Sequence, residues 1–342
     1  MNSVSIIIPT RNEEKYITKC LKSVLKFDGI DKIKYEILIV DGNSGDKTIE
    51  LVKHALEQNP KTEFHIIHNP KIFQVYALNL GIKQAQYDFI LRLDAHSIYP
   101  PDYLNLLFET ALRTNADNTG GILTTLPYNS TFNAQLVQAL TTHKFGVGNS
   151  GFRTGMKEGP ADTVPFGFFR KQIFTKIGLF DERLIRAQDY EFNQRIRKEG
   201  GLIWLNPNII AEYFNQSSVY KFLKKQLADE GPYNSYMWYL APYTFTFRHA
   251  IPGVFTAGII IGSLLSLVSA LIFYVFIAIL LLYALLALYS SFQQARRYRN
   301  LSFILILPFC FFGFHFFYGL GILTGIFNLL FKISPVQIKK SI

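Results

Sequence analysis

The chain has 342 residues, 49% of them hydrophobic, with 35 Lys and Arg against 25 Asp and Glu. Every acidic residue precedes residue 251, together with 29 of the basic ones, so the first 250 residues carry +4; the remainder, with six cations and no anion, carries +6. This distribution excludes a nucleic-acid-binding domain, and two lone cysteines, Cys20 and Cys310, exclude a disulfide framework or a CxxC metal site.

Residues 4–8 read as a first strand, stopped by Pro9. No cleavage-type segment precedes it, so no signal peptide is expected. Residues 13–27 have helical spacing, with Ile17, Leu21, Val24 and Leu25 on one face. Residues 35–40 are a second apolar run of strand length, ended by the turn formers Asp41-Gly42-Asn43-Ser44-Gly45-Asp46. A helix over 47–58, a short strand over 64–67, a helix over 76–84 and a fourth strand over 89–93 follow. Such alternation predicts right-handed βαβ units and a mostly parallel sheet. Ligands of such sheets sit beyond the carboxyl ends of the strands. Thr10, Arg11, Glu13, Asp41, Asp94 and His96 all fall there.

No GxGxxG follows the first strand, and no GxxxxGK[ST] occurs anywhere. A nucleotide would therefore be held by carboxylates and a metal instead of a glycine cradle. Arg92-Leu93-Asp94-Ala95-His96 puts a carboxylate and an imidazole two residues apart at a strand end. The pair suits a divalent cation; by itself it describes a turn Asp and a surface His equally well. Further on, residues 201–205 read as a strand carrying Trp204. Residues 217–240 are amphipathic, with Val219, Phe222, Leu223 and Leu227 facing one way and Lys221, Lys224 and Lys225 the other. That pattern predicts a helix lying in a membrane interface.

The tail sets the compartment. Residues 251–292 contain no Asp, Glu, Lys or Arg. A span needs about 20 apolar residues, so two helices with a tight hairpin near Ser269 or Phe273 fit. Arg296, Arg297 and Arg299 follow and are expected on the cytoplasmic side, as is the part before residue 251. A second apolar run, 301–331, is too long for one upright span; it predicts either one tilted helix or a helix plus a re-entrant piece. Lys339 and Lys340 lean toward a cytoplasmic C-terminus. The expected division is a domain over 1–215, an interfacial segment over 216–250, three or four crossings over 251–334 and a basic tail over 335–342. The protein is thus expected to be a multi-pass protein of the cell (inner or plasma) membrane, in contact with its lipids.

Five pieces, in order, carry a family resemblance. They are Ile7-Ile8-Pro9-Thr10-Arg11-Asn12-Glu13-Glu14, the run from Val40 to Thr48, Ala77-Leu78-Asn79-Leu80-Gly81, Arg92 to His96, and Gly178-Leu179-Phe180-Asp181-Glu182 with Gln188-Asp189-Tyr190-Glu191-Phe192. Over residues 4–250 the chain resembles glycosyltransferase family 2. Asp94-Ala95-His96 with Tyr99-Pro100, Gly146-Val147-Gly148, residues 162–167 and Gln188 to Glu191 resemble the branch typified by the succinoglycan-biosynthesis glucosyltransferase.

The resemblance implies an α/β GT-A fold with a Rossmann-like mixed sheet, followed by transmembrane helices. It implies an inverting hexosyltransferase that moves glucose or a similar hexose from a UDP-sugar to a lipid-linked glycan, in exopolysaccharide or cell-surface glycan synthesis. A polyprenyl-phosphate sugar synthase and a catalytically degenerate membrane partner of a glycan assembly complex are the alternatives. By the resemblance, Asp41 binds the uracil base, although as a residue it also suits a helix-capping turn. Pro9, Thr10, Arg11 and Glu13 match the loop around the nucleoside. Asp94 matches the first acid of the family's Asp-x-Asp motif, and His96 stands where the second acid would be. Both are expected to hold Mn²⁺ or Mg²⁺, with imidazole favouring Mn²⁺. Asp189 matches the general base, with Gln188 in place of the usual Glu. Phe166, Gly167, Gln188, Glu191 and Arg195 are expected on the acceptor side, Arg195 pairing with Glu191 four residues before it. The Gln-x-x-Arg-Trp motif of processive relatives is missing near Gln226.

Overall fold

The structure, a computed structural model, describes residues 2–340. The side chains of Lys339 and Lys340 lie outside what it describes. Two compact units make up the chain: Met1–Thr124 with Gly155–Phe214, and Thr125–Thr154 with Asn215–Ile342.

The first unit begins with β1 (Ser3–Thr10), α1 (Ile17–Val24), β2 (Lys34–Asp41), α2 (Thr48–Glu57), β3 (Phe64–His68), α3 (Gln74–Gln84), β4 (Phe89–Arg92), β5 (Ser97–Ile98), α4 (Tyr103–Thr114) and β6 (Asn118–Leu126). The chain then passes through α5 (Phe132–Thr141), α6 (Lys144–Val147) and α7 (Gly151–Thr154) of the second unit. It returns with β7 (Gly159–Pro160), β8 (Phe168–Arg170), α8 (Gln172–Ile177), α9 (Gln188–Lys198) and β9 (Ile203–Phe214).

The strands form one sheet in the order β3-β2-β1-β4-β8-β6-β9-β5, with β7 beside β9. β1 to β4 are parallel, as the alternation predicts. β8 runs antiparallel to both β4 and β6, which makes the sheet mixed. Ile6, Ile7 and Ile8 are consecutive and all fully buried, so β1 is covered on both faces. Thr10 pairs with Asp41 at the carboxyl ends of β1 and β2, which aligns the two loops that follow.

The second half of the sheet is hidden in the sequence by β6. Its Gly120-Gly121 pair reads as a turn, yet it marks a close approach of backbones. A Cβ at Gly121 would stand 1.8 Å from the Ile209 carbonyl oxygen, and one at Gly120 would stand 2.6 Å from Val164 Cβ. β9 spans 12 residues, well past the predicted end at 205, because it continues through Pro207. α1 starts later than the helical spacing indicates, since residues 11–14 are taken up by loop hydrogen bonds described below.

The second unit continues with α10 (Val219–Lys225), α11 (Gly231–Leu240), α12 (Phe247–Leu265), α13 (Ala270–Tyr298), α14 (Ser302–Leu330) and α15 (Pro335–Lys340). Among the described residues three helices, α12 to α14, are long and apolar enough to cross a membrane. Leu271 and Leu305 are 73% and 74% exposed, a surface that water does not tolerate on this scale. Ser269 Oγ caps α13, accepting from the Ile272 N–H, so the hairpin falls where it is expected. Residues 302–330 form one helix that continues through Pro308; no re-entrant break occurs.

Both α13 and α14 have 29 residues. At ~1.5 Å per residue each exceeds the ~30 Å hydrocarbon slab. The surplus turns pack on α5. Phe303, Leu307 and Phe311 share a core with Leu136, Val137 and Leu140. Gln294 Nε2 donates to Thr142 Oγ1 at 3.1 Å, and His143 Nε2 lies 2.8 Å from Gln293 Oε1. This packing joins residues 125–154 to the C-terminal helices instead of the expected 1–215 block. The segment 217–240 also departs from a single interfacial helix. A wider turn over Gln226–Glu230 separates α10 from α11. Tyr233 to Met237 are buried, and α11 lies close against α14, where a Cβ at Gly325 would stand 2.1 Å from Ser235 Oγ.

Gly121→Val should therefore destabilise the protein by about 2 kcal/mol or more. A lowered melting temperature of the purified protein in detergent would show it, and an unchanged melt would contradict the close approach of β6 to β9.

Candidate active site

The loops after β1 and β2 are laced together. Asn12 N donates to Ser44 Oγ (3.0 Å), and Gly45 N donates to Asn12 Oδ1 (2.9 Å). Glu13 N donates to Thr48 Oγ1 (2.7 Å), and Lys47 N donates to Glu14 Oε2 (3.2 Å). Asn12 and Asn43 take φ of 56° and 61°, a conformation Asn tolerates. Asp41 is buried, and its carboxylate accepts from Ser44 N (3.1 Å) and Ser44 Oγ (2.6 Å), so it does form the turn that its sequence context suggests. Beside it, Thr10 Oγ1 is buried and has no hydrogen-bond partner. Pro9 ends inside β1, and Arg11 is exposed in the loop.

Asp94 follows β4 directly. Its Oδ1 accepts from Arg92 Nη2 (2.9 Å) and from Gln74 Nε2 (3.1 Å). Its backbone is pinned by Tyr99: Asp94 N donates to the Tyr99 hydroxyl (2.9 Å), which donates back to the Asp94 carbonyl (3.2 Å). His96 Nδ1 donates to Glu13 Oε1 at 3.2 Å, and its ring packs 5.4 Å from Tyr213. Burial opposes charge on the imidazole, but the Glu13 hydrogen bond and the Asp94 charge prevail and raise it to about 9. Cys20 lies under the Asp94 carbonyl. Burial first, then the Asp94 and Glu13 charges, push its thiol far up, so it is not a nucleophile.

Arg92 is buried at the end of β4. Burial opposes its charge, but the charges of Asp94 and then Asp189 outweigh burial and hold it above its ordinary value. The charge of Asp189 is thus felt at the guanidinium that pairs with Asp94. Asp189 sits half-buried in the first turn of α9. Gln188 Nε2 donates to Gln74 Oε1 (3.1 Å), and Gln74 in turn donates to Asp94, so one amide bridge links the start of α9 to the end of β4.

Phe166 and Gly167 form the floor. Both are left-handed, at φ 60° and 105°, and the Gly167 carbonyl accepts from Arg92 N at 3.0 Å. The buried Phe166 ring lies 5.8 Å from the Arg92 guanidinium and edge-on to Tyr99 at 5.6 Å. It packs beneath the site rather than offering a face to a sugar.

Glu191 and Arg195 turn away from it. Arg195 donates to both oxygens of Glu191 (2.9 and 2.7 Å) and to the carbonyls of Ile177 and Leu179 (both 2.9 Å). The expected pairing is present, but these groups anchor the loop between α8 and α9. Sequence reading did not single out Gln74 or the Glu13–His96 bond, and it gave Tyr99 only as part of the branch motif, with no role. The only available signal for Gln74 is its place at the start of α3, three residues before Ala77.

Asp94 and His96 could hold a divalent cation: Asp94 keeps Oδ2 beyond the oxygen that Arg92 and Gln74 hold, and His96, its Nδ1 held by Glu13, would offer Nε2 once a cation displaces the proton there. A carboxylate behind the other ring nitrogen is the usual support of a metal-binding imidazole.

A family model, Glycosyl transferase family 2, matches residues 5–178. The chain belongs to glycosyl transferase family 2. It is 39% identical over 235 residues to a dolichyl N-acetyl-alpha-D-glucosaminyl phosphate 3-beta-D-2,3-diacetamido-2,3-dideoxy-beta-D-glucuronosyltransferase of Methanococcus voltae, covering 67% of this chain and 72% of that one. It is 30% identical over 216 residues to the succinoglycan biosynthesis protein ExoA of Rhizobium meliloti, covering 63% of this chain and 64% of that protein, just under two thirds of its length. The family 2 chain also superposes on the mannosyltransferase PcManGT from Pyrobaculum calidifontis, solved with GDP-Man and Mn²⁺, with a TM-score of 0.62, 15% identity and coverage of 88% and 84%. The fold is therefore GT-A, with apolar helices after it, and the protein is a glycosyltransferase, as the resemblance implies.

Arg195→Ala should cost about 3–5 kcal/mol, since it strands the buried Glu191 carboxylate. Arg195→Lys should not restore it, because a single ammonium cannot reproduce the two-pronged contact. Thermal unfolding checks both; a wild-type melt for Arg195→Ala would refute the anchoring role.

Proposed function

We propose that this family 2 transferase moves a hexose, with inversion, from a UDP-sugar onto a sugar carried by a polyisoprenyl phosphate during cell-surface glycan synthesis. The observation that carries this reading is the network at the end of β4: Asp94 pairs with the buried Arg92, the charge of Asp189 acts on the same guanidinium, and Gln74 and Gln188 join Asp94 to the start of α9. In this reading Asp94 is the donor-side acid and Asp189 the acceptor-side acid beyond the carboxyl ends of the strands. The relative from Methanococcus voltae, by its name, acts on a dolichyl-linked sugar phosphate. That name, with three apolar helices on the chain, supports a lipid-borne acceptor.

In this reading Pro9, Thr10, Arg11 and Asp41 line the nucleoside. The unpartnered Thr10 hydroxyl beside Asp41 offers it a buried contact. Asp94 Oδ2 and His96 Nε2 hold a divalent cation, Mn²⁺ being better matched to imidazole than Mg²⁺. When bound, the cation neutralises charge on the diphosphate. Asp189 takes the proton from the acceptor hydroxyl as its oxygen attacks the anomeric carbon, and UDP departs from the opposite face. Gln74 and Gln188 keep the two acids in register. Glu13 holds His96, and Arg92 holds Asp94.

Asp189→Asn should lower kcat by about 10²–10⁴-fold while leaving UDP-sugar affinity unchanged. The assay is sugar transfer by the purified protein, offered polyprenyl-diphosphate and polyprenyl-phosphate N-acetylglucosamine beside bare polyprenyl phosphate. Full turnover in the variant would sink the base assignment. Transfer to bare polyprenyl phosphate alone would make the protein a polyprenyl-phosphate sugar synthase.

We place the first unit in the cytoplasm, because Arg296 and Arg297 lie in the last turn of α13 and Arg299 follows it, all at the turn into α14. α12 to α14 then make three crossings, which sets the end of α14 on the far side despite Lys339 and Lys340. Reporter fusions should read cytoplasmic at Asn300 and extracytoplasmic at Leu267; the reverse pattern would overturn the orientation.

A further inference from the structure

Glu36, Glu63 and His65 stand at the opposite end of the parallel strands from Asp41 and Asp94. Glu36 lies in β2, five residues before Asp41, and His65 is the second residue of the edge strand β3. Glu36 is fully buried. Its Oε1 accepts from Ser5 Oγ (2.6 Å) and Gln86 N (2.7 Å). Its Oε2 is also buried but accepts no hydrogen bond. It faces His65 Nε2 across 3.7 Å, beyond hydrogen-bond reach. The same His65 Nε2 lies 3.2 Å from Glu63 Oε1. Glu63 further accepts from Gln86 Nε2 (3.4 Å, on Oε1) and the Tyr87 hydroxyl (3.3 Å, on Oε2). One ligand atom from each of the three residues lies within 4.8 Å of the other two.

A buried carboxylate oxygen with no partner is unfavourable unless something completes it. The spacing says what would. Ligand atoms of a tetrahedral zinc ion, at bonds of about 2.0–2.2 Å, stand about 3.3–3.6 Å from one another. The 3.2 and 3.7 Å separations from His65 Nε2 bracket that range. Magnesium and calcium prefer oxygen-only sets, whereas an imidazole with two carboxylates suits zinc and its neighbours. We propose that Glu36, Glu63 and His65 bind a divalent transition-metal ion, best matched by Zn²⁺, at a site separate from the catalytic centre. The ion fastens β3, paired on one side only, to β2. Water takes the fourth position.

The competing account is an ion pair, with a protonated His65 between two carboxylates and no metal. Zinc binding separates the two. The full-length protein in detergent, stripped with chelator, is titrated with Zn²⁺; bound zinc is counted by mass spectrometry and the melting temperature is followed. The Asp94→Asn background removes the catalytic cation. His65 and Glu63 side chains are 44% and 43% exposed, so His65→Ala and Glu63→Gln should fold. The expected result is one zinc per Asp94→Asn chain with a raised melting temperature. Adding His65→Ala or Glu63→Gln should weaken binding more than about 100-fold, beyond the roughly 10–100-fold that loss of a supporting hydrogen bond costs. No zinc in Asp94→Asn, or equal zinc with and without His65, would overturn the site in favour of the ion pair.

Discussion

A buried guanidinium needs anions, and the first unit is arranged around meeting that need for Arg92. Without Asp94 the guanidinium, which stays charged, would be buried unpaired at a cost of several kcal/mol. The pairing fixes more than charge. Arg92 Nη2 sets which oxygen of Asp94 is held. Arg92 N reaches the Gly167 carbonyl, and the backbone before that carbonyl is left-handed at Phe166. A non-glycine residue in that region is strained and persists only where its surroundings dictate it. Here the dictate is the Phe166 ring beneath the guanidinium and against Tyr99. End of β4, floor and start of α9 are thus set by one side chain.

The departure of Gln188 from the usual Glu follows from the same network. Gln74 gives its N–H to Asp94 and is left with a carbonyl oxygen toward α9. That oxygen needs a donor. Gln188 supplies one at 3.1 Å, whereas an ionised Glu is acceptor-only and would face oxygen with oxygen. The substitution removes a negative charge close to Asp94 and Asp189, both already drawn to Arg92. A second charged residue expected near the acceptor, Glu191, is neutralised by Arg195 and faces another way. Helical geometry requires this, because positions two apart do not share a face.

How much of this was legible depends on whether a feature is local. β1 to β4 were readable because each is an apolar run closed by turn formers, and the ligand end of a parallel sheet follows from topology alone. Asp94 and His96 were readable by position, but the Glu13–His96 bond joins residues 83 apart and has no local pattern. β6 was hidden because its glycines report a neighbour's backbone, not a turn. The length of the 301–331 run raised the right question, since it exceeds a bilayer; the answer lay in the burial of α14 against α5, which hydropathy cannot show. Phe166 was expected on the acceptor side; its left-handed backbone and its packing against Tyr99 have no sign in the sequence.

Unsatisfied charge distinguishes the two ends of the sheet better than residue type does. Among the described residues, two formally charged side chains keep a buried atom without a hydrogen bond: Arg92 through Nε and Glu36 through Oε2. Asp41, which sequence reading ranks above Glu36, has both oxygens engaged by Ser44. Arg92 stands at the carboxyl end, where a diphosphate would bring negative charge to a cationic donor. Glu36 stands at the amino end, where the proposed metal ion would complete it together with His65 and Glu63. On these readings the two ends differ in sign: an anionic diphosphate would meet one and a cation the other. A single parallel sheet can carry both because its strands share direction, so side chains placed early and late in β2 open onto different chemistry.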